Sequence, residues 1–109
     1  MTFEIFHDDR GSLLPIEFNQ VPFPVQRIFV VRGIPGGALR GNHLAQCEQL
    51  LVLIEGRVTL WFGESRDECT SLDHGGQNVW IRSNTFISYQ LYDERSSIVV
   101  LASEHYRSV

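Results

Sequence analysis

Residues 49–54 read QLLVLI, and a strand of that composition is apolar on both faces. Side chains alternate across a strand, so Leu51 and Leu53 point one way while Leu50, Val52 and Ile54 point the other. Such a strand must be covered on both sides, either inside a sandwich or at an interface between two copies. The turn pair Glu55-Gly56 stops it, and a second β-rich run, residues 58–62 (VTLWF), follows at once. Two β-rich runs joined by a Glu-Gly-Arg turn predict a hairpin in which 58–62 pairs back on 49–54.

The rest of the chain has the same texture. Strands are predicted over 2–7 (TFEIFH), 25–34 (VQRIFVVRGI), 38–46 (ALRGNHLAQ), 70–72, 77–81 (QNVWI), 85–92 (TFISYQLY) and 97–103 (SIVVLAS). An interrupted run at 13–18 carries Pro15 and suits an edge or a bulge. Between the strands stand turn formers: residues 7–12 (HDDRGS), the proline-bearing loop 19–24, Pro35-Gly36-Gly37, the charged 63–68 and Asp73-His74-Gly75-Gly76. That makes nine or ten short strands at spacings of roughly 8–12 residues, with no helical periodicity. One all-β domain over residues 1–109, a small sandwich or barrel, is the expected fold.

Composition narrows the function classes. The net charge is −4 and no basic cluster occurs, which argues against nucleic acid as the partner. Every one of the 9 basic residues is arginine, the residue suited to bidentate phosphate contacts. No apolar stretch approaches the roughly 20 residues that span a bilayer, and the first residues lack a secretory pattern. Cys47 and Cys69 form no CxxC or Cys/His zinc spacing. A reducing cytoplasm fits these two thiols, with a single disulfide as the other possibility.

The chemistry-bearing stretch is Arg40-Gly41-Asn42-His43, on a strand at the expected mouth of the barrel. Histidine is the side chain whose charge changes nearest neutral pH, so His43 is a candidate for proton transfer. The plainer alternative is a hydrogen-bonded strand histidine with no chemistry. Strict alternation puts Arg40 out of phase with His43 unless Gly41 sits in a bulge. His7, His74 and His105 fall in turns or near the tail, where surface positions are expected. Trp61, Trp80 and the phenylalanines read as core, with Phe29 and Phe86 as candidates to line a pocket.

Four blocks carry a family resemblance: DDRGSLLPIEF (8–18), RIFVVRGIPGGALRGNH (27–43), EQLLVLIEGRVTL (48–60) and IVVLASEHY (98–106). Together they resemble the sugar 3,4-ketoisomerase cupins, the WxcM-like proteins that act on dTDP-4-keto-6-deoxyglucose. The resemblance implies a jelly-roll cupin, a homodimer, a nucleotide-sugar in the barrel mouth, and no metal or other cofactor. It implies a keto group moved from C4 to C3 through an enediol, in the synthesis of aminodideoxyhexoses for surface polysaccharides. Residue by residue, His43 matches the first histidine of the family's R-G-x-H-A-H strand, while Ala45 stands at the second. Arg10 and Arg40 match family arginines that meet nucleotide or sugar, and Asn42 lies between Arg40 and His43. Phe29 stands where a tyrosine is common, Phe86 replaces a tryptophan and Gln90 a tyrosine. Gln49 occupies the place of a cupin glutamate. A metal-dependent cupin would need two or three histidines and a carboxylate converging in the barrel, and His43 alone is in place. Two readings follow: a ketoisomerase using His43, or a cupin that binds a sugar or nucleotide without turning it over.

Overall fold

A computed structural model describes residues 2–107. Among the described residues ten strands run in chain order: β1 (Phe6–Asp8), β2 (Gly11–Leu13), β3 (Arg27–Arg32), β4 (Leu39–Leu44), β5 (Gln49–Glu55), β6 (Val58–Phe62), β7 (Glu68–Leu72), β8 (Asn78–Ile81), β9 (Phe86–Leu91) and β10 (Ser97–Ala102). Beside them stands one 3-10 turn at Phe18–Gln20. Strands β3-β10-β5-β8 form one antiparallel sheet and β4-β9-β6-β7 another, with β1-β2 a separate hairpin. From β3 onward only β6 and β7 are both consecutive and paired; the other connections cross between sheets. Two sheets exchanged in this way make a jelly roll, the all-β architecture expected from the sequence.

The expected hairpin between 49–54 and 58–62 does not form. β5 pairs with β10 and β8, whereas β6 pairs with β9 and β7 in the opposite sheet. The turn between them is a corner. Gly56 has φ +82, and a Cβ there would stand 2.7 Å from Ser96 Cα, so the chain turns tightly against the fully buried Ser96. The Arg57 amide donates to Ser96 Oγ at 3.1 Å, which fixes the corner from the β6 side. A short apolar run with a glycine turn suits a corner as well as a hairpin, and the tertiary partners decide between them.

The alternation read in residues 49–54 holds. Leu51 and Leu53 enter the core between the sheets, together with Val31, Leu60, Ile87, Ile98 and Val100. Leu50 and Val52 face outward beside Leu101 of β10 and pack with Phe3, Val21 and Phe23. This chain's own N-terminal segment therefore covers the second apolar face, and no second copy is needed there. Leu50 to Leu53 are each 2% exposed or less, and such burial contributes roughly 1.5–3 kcal/mol per side chain.

The first expected strand, 2–7, is mostly not one. Thr2 makes an isolated bridge to Gln77, Phe3 is buried, and regular pairing begins only at Phe6. The expected turn at 7–12 shrinks to its centre, because Phe6, His7 and Asp8 pair with Leu13, Ser12 and Gly11. The aromatic residues also divide: Phe3 and Phe23 are buried, while Phe6 and Phe18 are exposed and Trp80 stacks under the Arg82 guanidinium at 3.5 Å. Cys47 and Cys69 are both free thiols. No helix among the described residues is long and apolar enough to cross a membrane.

Candidate active site

β4 breaks its own alternation at Gly41-Asn42. Arg40 pairs with Tyr89 and His43 with Ile87, so one extra residue is accommodated between them. Gly41 and Asn42 take φ of +73 and +60, the left-handed region that glycine enters freely and asparagine tolerates. This is the bulge that brings Arg40 and His43 onto the same face. Both residues then line a cavity of about 720 Å³ between the sheets, within the range of small-molecule sites.

The opposite wall is β3 and β5. Phe29 and Gln49 line it, with Leu51, Ile81, Ile87 and Val100 forming the apolar floor. Arg27, two residues before Phe29 and on the same face, also lines it. The Arg27 guanidinium lies 4.5 Å from the Phe29 ring centre and 5.1 Å from that of Tyr106. Tyr106 belongs to a tail, Glu104 to Arg107, that runs from β10 back along the rim. Two hydrogen bonds between Ser103 and Glu48 fix the start of that tail: Ser103 N–H to the Glu48 carbonyl at 3.0 Å and Glu48 N–H to Ser103 Oγ at 3.1 Å. Three arginines, Arg27, Arg40 and Arg107, therefore gather at one cavity in a chain of net charge −4.

His43 is solvent-accessible and its Nδ1 lies 3.0 Å from the Leu44 carbonyl oxygen. A carbonyl only accepts, so this hydrogen bond places the ring proton on Nδ1 and leaves Nε2 a free lone pair in the neutral ring. That is the state a general base needs. Ala45, at the next position on this face, is fully buried in the inter-sheet core. Its amide donates to the Thr85 carbonyl at 2.9 Å and its carbonyl accepts from the Asn84 amide at 2.8 Å.

Of the residues singled out in the sequence, His43, Arg40, Phe29 and Gln49 meet at this cavity. The others do not line it. Arg10 sits at the β1-β2 turn, 86% exposed, with its guanidinium 2.6 Å from Asp8 Oδ2. That contact and the Arg10 backbone amide hold the Asp8 carboxyl below its ordinary range. Asn42 occupies the bulge, and its Oδ1 accepts from Ser88 Oγ at 3.3 Å. Phe86 and Gln90 alternate with the inward Ile87, Tyr89 and Leu91, so they face away; Gln90 Nε2 donates to the Gly37 carbonyl at 2.8 Å. His7 bonds Ser12 and His74 pairs with Asp73, both at the surface as expected.

The sequence reading passed over Arg27, Tyr89, Cys47 and the tail with His105, all of which line the cavity. His105 is at the surface as expected, yet on the rim. For β9 the parity was readable: Ile87 and Leu91 are the apolar set and Ser88 and Gln90 the polar one, which assigns Tyr89 to the inside. The tail's return to the mouth had no local signal. Among the described residues, no three His, Cys, Asp or Glu side chains converge.

The model of the FdtA family, WxcM-like C-terminal, matches residues 1–109. The chain belongs to the WxcM-like family. Solved structures agree on the fold. A 3,4-ketoisomerase from Helicobacter canadensis superposes with a TM-score of 0.83 at 24% identity, over 98% of this chain and 83% of that one. QdtA, a sugar 3,4-ketoisomerase from Thermoanaerobacterium thermosaccharolyticum in complex with TDP, gives 0.82 at 25% identity, over 97% and 80%. The TDP-quinovose 3,4-ketoisomerase WlaRB from Campylobacter jejuni gives 0.82 at 23%, over 99% and 85%. No curated protein matches the chain.

Proposed function

We propose that this cupin is a sugar-nucleotide 3,4-ketoisomerase that moves a keto group between C4 and C3 of a dTDP-6-deoxyhexose, with His43 carrying the proton. The observation that carries the reading is His43, with Nε2 free to act as base, on the rim of a cavity lined by Arg27, Arg40 and Arg107. Guanidinium groups suit a diphosphate, since each can make paired hydrogen bonds to phosphate oxygens. The C3 proton of a 4-keto sugar is acidified by the neighbouring carbonyl, so one well-placed base starts the reaction. QdtA, which shares the fold, is known as a complex with TDP and, in a histidine-to-asparagine variant, with TDP-4-keto-6-deoxyglucose.

A second reading is favoured by Ala45 and Phe29. The position of the family's second histidine is fully buried core, and the Phe29 ring brings no hydroxyl to the wall. On that reading the chain binds a nucleotide-sugar or another small carbohydrate without turnover. Under either reading a homodimer is proposed, supported by Ile28 and Val30, exposed on the outer face of the edge strand β3. The two free thiols support a cytoplasmic setting, and synthesis of surface polysaccharide is the proposed role.

The test is incubation with dTDP-4-keto-6-deoxyglucose in D₂O, followed by proton NMR, beside His43→Ala. Deuterium at C4 of a new 3-keto species and at C3 of the recovered 4-keto sugar, both lost in the variant, is the expected result. Full activity in His43→Ala removes the assigned role of His43. Line broadening of the ligand without exchange selects the binding reading instead.

A further inference from the structure

We propose that Tyr89 is the second proton-transfer group of this site, serving the two sugar oxygens while His43 serves the two carbons. The inference rests on the ketoisomerase reading above and deepens it. A 4-keto to 3-keto shift moves two protons: one from C3 to C4, and one from the C3 hydroxyl to the C4 oxygen. A single imidazole accounts for the first. Nothing at Ala45 or Phe29 accounts for the second.

Tyr89 projects from β9 into the same cavity as His43. His43 pairs with Ile87 and Tyr89 lies two residues further along β9, so the two are diagonal neighbours on one sheet face. Such positions stand about 7–8 Å apart at the backbone, within reach of long side chains converging on one ligand. The Tyr89 ring is placed by what lies beneath it. A Cβ on Gly41 would stand 3.4 Å from both Cδ1 and Cε1 of the ring, so the ring edge lies against the bare Gly41 backbone. Leu60, its partner on β6, packs in the core on the other side. The ring is thus half-buried and seated, while its hydroxyl makes no hydrogen bond to any described residue. A seated phenol with an uncommitted hydroxyl opening on a cavity is available to a ligand oxygen.

His43 Nε2 takes the C3 proton, and the C3–H electron pair becomes the C3–C4 double bond. The C4 carbonyl π pair moves onto O4, which takes the Tyr89 proton and gives an enediol. In the second half the O3–H proton passes to the Tyr89 phenolate and its electron pair forms the C3 carbonyl. The C3–C4 π pair meanwhile takes the proton from His43 at C4. Both side chains end as they began, and no oxidant, reductant or cofactor enters.

The experiment is Tyr89→Phe, which keeps the ring on Gly41 and removes only the hydroxyl. Turnover of dTDP-4-keto-6-deoxyglucose is measured with titration of TDP and of the keto sugar nucleotide. Loss of one general acid–base group predicts a kcat lower by on the order of 10²- to 10³-fold. KM should stay within about threefold, because the phosphate contacts are untouched. TDP should bind as before, while any preference for the keto sugar nucleotide over TDP should shrink. A merely structural role for Tyr89 would weaken TDP binding in step with kcat. An active wild type with an equally active Tyr89→Phe overturns the assignment of Tyr89 and leaves the ketoisomerase reading standing. An inactive wild type overturns that reading, and the proton transfer by Tyr89 with it.

Discussion

Putting the family's second histidine back is the sharpest perturbation of this site, because the structure says there is no room for it. In Ala45→His an imidazole must enter a position that is fully buried among inter-sheet apolar side chains. The backbone cannot retreat, since the Ala45 amide and carbonyl are both held by the 84–85 turn, at 2.9 and 2.8 Å. Overpacking a well-filled core costs about 1–3 kcal/mol. Burying a polar ring without a partner costs about another 1–3 kcal/mol. The sum, roughly 2–6 kcal/mol, is a large share of the 5–15 kcal/mol that holds a domain of this size. At about 4 °C or more per kcal/mol, the midpoint should fall by roughly 10 °C or more. Thermal unfolding followed by circular dichroism and by calorimetry, with His43→Ala as an exposed control, measures this. Isomerase activity should not rise. An Ala45→His protein that melts within about 2 °C of wild type would refute the reasoning. It would mean that position 45 opens on the cavity and that its alanine is not a packing solution.

Gly56→Ala should cost about 2–5 kcal/mol, from a left-handed backbone residue (φ +82) and from a Cβ driven onto the buried Ser96 backbone. Chemical denaturation should show the midpoint lowered at unchanged m-value; an unchanged midpoint would remove the corner from its assigned role. Asp8 should titrate below the ordinary carboxylate value, because Arg10 favours its ionised form. A depressed folded-state value stabilises the β1-β2 hairpin above the unfolded pKa of about 3.9 and loses that effect as pH falls through the folded value. Carbon NMR of the Asp8 carboxyl should show the value rising in Arg10→Gln, and no rise would break the pairing.

The all-β class, the eight strands from β3 to β10 and the two faces of residues 49–54 were legible in the sequence, since strand alternation and turn formers act over a few residues. The need for a bulge at Gly41 if Arg40 and His43 were to share a face was legible for the same reason, and the structure supplies that bulge. Which strands pair was not. The run 49–54, Glu55-Gly56 and 58–62 describes a hairpin and a corner equally well, and only the competition among β10, β8, β9 and β7 for partners decides it. The cover over Leu50 and Val52 likewise comes from Phe3, Val21 and Phe23, far away in the chain. The site divides along the same line. His43 declared itself through residue type and Phe29 through its place on the β-rich run 25–34, while Arg40 and Gln49 stood out only through the family resemblance. Arg27, Tyr89 and the tail at 104–107 joined them only because long-range pairing closes two sheets around one cavity, and that closure is a property of the whole chain rather than of any segment.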